Sequence, residues 1–268
     1  MLKVEQMNKI ETILKSDFIL SFGTYFEDNQ ELKSSILNNK SKFVYMFPID
    51  NSNLKSTYSQ FIKYEVGSEE GICALLLATF AKNCDESTKE FIENLDLGYI
   101  SAESSAGEEE FEEAKEASLA SQSKVLIVGN DIKNHERVEN ITKILALIKK
   151  YTDFNLVVLD EDLEQKINSH KDLELDEIED LKSFNGTLVY KLVGKKCEEL
   201  ITSKTFANIA KVSNNDEIYI NFKDEKIKRV LKVDESLTGT IAILEVLNED
   251  DIFSGYKYKQ VKIEKVEA

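Results

Sequence analysis

Residues 124–160 read KVLIVGNDIKNHERVENITKILALIKKYTDFNLVVLD. Lys124 to Val128 is a short, β-branched run that Gly129 closes, which predicts a strand buried on both faces. From Glu136 to Tyr151, the residues Val138, Ile141, Ile144, Leu145 and Ile148 fall at the i, i+3, i+4, i+7 spacing of a helix with one apolar face. A second apolar strand is expected over Leu156 to Leu159. Strand, helix and strand in that order make a βαβ unit, with parallel strands and a right-handed crossover.

The chain upstream repeats the alternation. Met7, Ile10, Ile13 and Leu14 sit at helical spacing, so residues 3–15 are expected to form an amphipathic helix. It enters a strand from Asp17 to Phe22 that ends at Gly23, followed by a helix near Gln30 to Leu37 and a strand over Phe43 to Phe47. After Gly67 a helix begins with Ser68 as N-cap and Glu69 and Glu70 in its first turn, where carboxylates favour the positive end of the dipole. Its core face carries Ile72, Leu75, Leu76, Thr79 and Phe80. Ser105 to Glu108 has the spacing of a capping box ahead of an Ala- and Glu-rich segment that runs to Ser121. Strands alternating with helices imply an α/β, doubly wound parallel sheet over residues 1–160.

The pattern then changes. Asp160 to Asp180 is dense in Asp and Glu, which reads as a solvated connection or a surface helix, so residues 161–185 are taken as an acidic connection. Beyond Gly186 the period shifts to two. Thr187 to Val193, Glu217 to Phe222, Ile227 to Val233, Thr240 to Val246 and Lys257 to Ile263 all read as strands of a smaller β-rich domain over 186–268. Lys223 to Lys226 is a hairpin candidate, and Leu237 to Gly239 a turn.

The 268 residues carry a formal net charge of −16, which repels phosphate backbones and anionic membrane surfaces. Nucleic acid is therefore excluded as a partner. The longest apolar run, Ile72 to Ala81, falls short of the roughly 20 residues of a spanning helix. The N-terminus has no signal-peptide core, and the expected location is cytoplasmic. Cys73, Cys84 and Cys197 form no CxxC pair, and Cys73 on a helix's apolar side reads as a small buried hydrophobe.

The Gly23-Thr24 turn is where an open α/β sheet binds phosphate, through backbone N–H groups at the next helix. Here Glu27 and Asp28 stand at that helix opening and compete with an anion. Gly129-Asn130-Asp131 is a second strand-end loop of this kind. Gly23, Thr24 and Gly129 are thus the weak cofactor-binding candidates. His135 and His170 lie in polar surroundings without H-x-x-x-H spacing and read as exposed or helix-capping side chains rather than metal ligands. No G-x-S-x-G, P-loop or full G-x-G-x-x-G occurs, so no catalytic residue and no metal ligand is assigned. The acidic runs serve solubility or steer a basic partner. Lys257, Lys259, Lys262 and Lys265 alternate with Tyr256, Tyr258, Val261 and Ile263 in what reads as a charged edge strand or a contact strand for a partner subunit.

Three segments, DFILSFGTYFEDN at 17–29, GYISAESSAGEEEFEEA at 98–114 and KVLIVGNDIKNHERVENITKILALIKKY at 124–151, carry a family resemblance. They resemble the C-terminal, molybdopterin-oxidoreductase-like half of the large iron-sulfur subunit of NADH-quinone oxidoreductase, respiratory complex I. The string NNDEIYINFKDEKIKRVLKVDESLTGTIAI at 214–243 likewise looks like the small β domain that closes many molybdopterin oxidoreductases. In pterin-binding relatives the first strand end reads Gly-x-Asn and contacts the cofactor's diphosphate. This chain has Gly23 and Thr24, with Tyr25 where the Asn would stand. The family's electron-carrying cysteines lie upstream of this half.

The resemblance thus implies a non-catalytic structural subunit or domain of the peripheral arm. Such a part holds no cofactor, contacts other complex I subunits and is peripheral to the inner membrane through them. Two alternatives stand beside it. One is a free-standing molybdopterin-type or nucleotide-binding oxidoreductase with its ligand at Gly23 and Gly129; the other is an interaction module outside the respiratory complex.

Overall fold

A computed structural model describes residues 2–170, 174–178, 180–194, 197–248 and 251–267, the side chains of 2–5 excepted. The chain divides into two compact units, Met1–Pro48 with Asn53–Ser183, and Ile49–Ser52 with Phe184–Ala268.

In the first unit the order is α1 (Leu2–Lys15), β1 (Phe18–Phe22), α2 (Gln30–Leu37), β2 (Lys42–Met46), β3 (Gln60–Ile62), α3 (Glu69–Phe80), α4 (Glu86–Glu93), α5 (Leu97–Ser104), α6 (Glu108–Ser118), β4 (Lys124–Val128), α7 (Val138–Tyr151), β5 (Phe154–Val158) and α8 (Glu161–Ser169). The strands form a parallel sheet of order β3-β2-β1-β4-β5. From β1 the chain winds outward through β2 to β3, then returns to pair β4 on β1's other side. Right-handed crossovers in opposite directions place helices on both faces, as in a doubly wound α/β fold.

Burial on both faces explains the unbroken apolar strands. Phe18, Leu20, Phe22, Val44, Met46, Leu126 and Val128 share a core with α3 and α7. The alternate residues Ile19, Phe43 and Tyr45 are equally buried, and Phe26 meets Phe43 edge-on at 5.8 Å. α3 is buried almost all round, including Cys73 among its apolar residues, so its core surface is wider than the one face read from the sequence. Ser68 flanks α3, but its Oγ donates to the Glu65 carbonyl at 2.6 Å instead of capping the helix.

Other local expectations change for identifiable reasons. Ser105 takes a left-handed conformation at the end of α5, so it cannot cap α6. The Gly107 amide instead donates to Glu110 Oε2 at 2.9 Å, shifting the start of the helix. The short β3, the polar α4 and the eight-residue α5 had no expected counterpart. Both helices carry an aspartate cap: Asp85 accepts from the Thr88 amide at 3.0 Å and Asp96 from the Tyr99 amide at 2.9 Å.

Of the two readings of the acidic stretch, connection or surface helix, its first part takes the helix. α8 occupies Glu161–Ser169, and Leu163, Ile167 and Leu181 are buried in the first unit's core, so the boundary falls after Ser183. Residues 171–173 and 179 of that stretch lie outside the described residues.

The second unit contains β6 (Leu188–Val193), β7 (Glu199–Thr202), α9 (Lys204–Ala210), β8 (Glu217–Phe222), β9 (Glu225–Val233), β10 (Ile241–Val246), β11 (Tyr258–Gln260) and β12 (Lys262–Lys265). Their sheet order is β11-β6-β10-β7-β9-β8-β12. β11 and β12 are the two outer strands, yet only Val261 separates them in the chain. The sheet must therefore curl enough to bring its two rims together at that residue. This changes the reading of the segment from Lys257 to Ile263 as one edge strand: it is two strands, and Lys257 and Lys259 are buried, over the rings of Tyr190 and Phe222. Phe222 pairs with Glu225, so the hairpin loop is only Lys223 and Asp224, with Lys223 at φ +51°. β7 and α9 were not anticipated; Ser203 caps α9 by accepting from the Phe206 amide at 3.0 Å.

Candidate functional site

In an open parallel sheet the binding crevice lies at the carboxyl ends of the strands where the winding reverses. Here that point is between β1 and β4, at Gly23 and Gly129. The structure brings these two expected residues together. Gly23 adopts φ +66°, a left-handed conformation that suits glycine. The Gly129 amide donates to the Phe22 carbonyl at 2.8 Å and the Asp131 amide to the Gly23 carbonyl at 3.2 Å. A Cβ on Gly129 would stand 1.9 Å from the Gly23 oxygen and 2.6 Å from Thr24 Cβ. Thr24 is itself buried. The two loops that would part to hold a diphosphate are bonded to one another.

The helix following β1 is capped by the protein's own groups. A 3-10 turn over Phe26–Asp28 intervenes, so Glu27 and Asp28 precede α2 rather than open it. Asn29 Oδ1 accepts from the Leu32 amide at 3.0 Å, and Glu27 is held by Lys33 at 2.7 Å.

Behind the loops lies a buried polar cluster that sequence reasoning missed. Tyr64 is fully enclosed, and burial first, then Glu69 and Asp131, pushes its hydroxyl well above the usual tyrosine value. Glu69 and Glu70 stand in the first turn of α3, as expected from the sequence, and are buried together with Asp131. His135, expected as an exposed or helix-capping side chain, is buried as well, just ahead of α7. Its Nδ1 accepts from the Arg137 amide at 3.0 Å, while Nε2 lies 3.2 Å from the Gly67 carbonyl and 3.3 Å from Glu69 Oε2. Burial works against an imidazolium there; the Glu69 carboxylate favours one, and the net displacement is upward.

Glu70 receives Arg137 Nε at 3.1 Å on both oxygens and Asn140 Nδ2 at 2.7 Å. The arrangement ties the start of α3 to the start of α7 across the crevice. The available signal was composition: two acids at a helix start and an H-x-R-x-x-N run at another. Nothing in periodicity shows that the two helices converge.

His170 ends α8, with Nε2 3.0 Å from Thr142 Oγ1, and burial lowers its pKa from the ordinary value. Among the described residues no group of three or more His, Cys, Asp or Glu side chains is arranged to hold a metal ion.

No protein-family profile matches the chain, and no curated protein matches it in sequence. Among solved structures there is a likeness of fold. The chain is similar to acetylene hydratase from Pelobacter acetylenicus. The TM-score is 0.54 at 7% sequence identity, over 99% of this chain and 81% of that one. At that identity the likeness concerns the fold alone: an α/β parallel sheet flanked by helices, with a β-rich unit. The pterin diphosphate that the free-standing oxidoreductase alternative would place at Gly23 and Gly129 does not fit the crevice found here. The Gly129 and Asp131 amides are already bonded within the protein, and the Glu69 and Asp131 carboxylates are buried.

Proposed function

We propose that this chain is a non-catalytic structural subunit or domain of the peripheral arm of an NADH-quinone oxidoreductase, without iron-sulfur ligands or molybdenum of its own. One observation carries the non-catalytic part of this reading. The crevice at the β1–β4 reversal is filled by backbone contact between Gly23 and Gly129 and backed by the Glu69, Asp131 and His135 cluster. Cysteine placement supports it: Cys73 is sealed among apolar side chains in the first unit's core. The assignment to the respiratory complex rests on the resemblance of residues 17–29, 98–114 and 124–151. Among the described residues no helix is long and apolar enough to cross a membrane.

Affinity capture of the tagged protein from gently solubilised native membranes tests this reading. The expected result is recovery of several respiratory-complex subunits, with iron arising only from them. Recovery of the chain alone with stoichiometric molybdenum or a bound pterin overturns it in favour of a free-standing oxidoreductase. Recovery with unrelated partners and no cofactor supports an interaction module outside the respiratory complex.

A further inference from the structure

The helical layer over α3 carries an open groove that the closed crevice does not use. Two hollows of about 290 Å³ and about 270 Å³ share Phe91, Asn94 and Glu177 and so run into one another. α4, α5 and the turn between them form one wall, and residues 174–178 form the other. The floor is apolar. Phe91, Leu95, Tyr99, Leu175 and Ile178 pack against the core on one side and remain partly accessible on the other.

The rim has a single sign. Glu90, Asp96, Glu174 and Glu177 are exposed along it, and none forms an ion pair among the described residues. The neighbouring cations Lys143 and Arg137 pair with Asp176 and Glu70 and reach main-chain atoms of the wall rather than the rim carboxylates. Lys143 Nζ donates to the Glu174 carbonyl at 2.8 Å and Arg137 to the Glu177 carbonyl at 2.9 Å, while Asn140 donates to the Asp176 carbonyl at 3.0 Å. These bonds fix the backbone of the 174–178 wall and leave the Glu174 and Glu177 side chains facing solvent. A wall ordered in advance costs little further entropy on binding.

We infer that this groove docks a basic amphipathic segment of a partner protein. Its apolar residues would sit on Phe91, Leu95 and Ile178, with Lys or Arg side chains against the acidic rim. An anion or nucleic acid is repelled by the same carboxylates, and a second copy of a chain with net charge −16 carries the wrong sign. The groove and the chemistry of its occupant do not depend on the respiratory assignment.

The test uses the full chain and a synthetic Leu/Lys peptide patterned to be amphipathic as a helix, against a scrambled peptide of the same composition. The patterned peptide should bind more tightly and slow hydrogen exchange at residues 88–100 and 174–178. Glu90→Lys with Glu177→Lys should raise its Kd by about tenfold or more, while the charge-matched pair Glu109→Lys with Glu116→Lys on α6 should change it less than about threefold. Equal losses in both pairs, or no preference over the scrambled peptide, would overturn the inference by reducing it to diffuse charge attraction.

A photo-crosslinker at Asn94 in native membranes then identifies the occupant. Capture of a Lys/Arg-rich amphipathic segment supports the inference, and capture of segments lacking basic residues refutes it. Which protein carries that segment bears on the proposed function separately.

Discussion

Replacing Gly129 with alanine tests whether the crevice is closed by backbone contact. The residue's φ of −80° and ψ of 174° are open to any amino acid, so the cost is steric. The new methyl would stand 1.9 Å from the Gly23 oxygen and 2.4 Å from its carbonyl carbon, backbone atoms that cannot rotate away. Relief requires the ends of β1 and β4 to part, which breaks the bonds from Gly129 to Phe22 and from Asp131 to Gly23. Two buried hydrogen bonds at about 1 kcal/mol each, plus about 1–3 kcal/mol of overpacking, give about 3–5 kcal/mol. For a unit of this size that corresponds to a fall in Tm on the order of 10 °C.

Urea and thermal unfolding can be followed by near-ultraviolet circular dichroism of the ten tyrosines, since the chain has no tryptophan. Gly98→Ala in α5 is the control. A Cβ there meets nothing nearer than Asp96 Oδ1 at 3.6 Å, so helix propensity should stabilise the unit by about 0.5–1 kcal/mol. A loss below about 1 kcal/mol for Gly129→Ala would mean the loops part easily, and the case for a closed crevice would fail.

Glu70→Ala removes the carboxylate that holds Arg137 and Asn140, leaving a partly buried guanidinium without that counter-charge, and should cost about 3 kcal/mol in urea unfolding. Glu70→Leu combined with Arg137→Met should recover much of that loss; if the double variant is as unstable as the single one, the pair is not acting as a unit. Asp85, capping α4, is held well below the usual carboxylate range, first by Thr88 and then by the Tyr151 hydroxyl at 2.5 Å. Because its folded pKa is depressed, its stabilisation is complete above the unfolded value near 4 and is lost as pH falls through the folded value. Stability of Asp85→Asn should therefore lie below wild type at neutral pH and converge on it with acidification; parallel curves down to pH 2 would contradict this assignment.

Much of the fold was legible because it depends on local pattern. The strands ending at Gly23 and Gly129, the α7 face from Val138 to Ile148, and the change to period two after Gly186 each carry their own signal. Elements that were missed are short or polar. β3 is three residues long, and α4 and α5 are announced mainly by the caps Asp85 and Asp96. The site was less legible. Gly23 and Gly129 could be named as strand-end glycines, but the same sequence fits a loop opened around a phosphate and a loop closed on its neighbour.

What the sequence determined by itself is the alternation of elements, the acidic surface and the absence of any compact cysteine motif, since each follows from composition or from spacing within a few residues. Only the tertiary structure decided that Gly129 lies against Gly23, that Glu70 meets Arg137 and Asn140 across two helices, and that β11 and β12 join the rims of one curled sheet. Those contacts link residues distant in the chain, and their energies depend on burial and distance, which strand order and crossover handedness set and local periodicity does not.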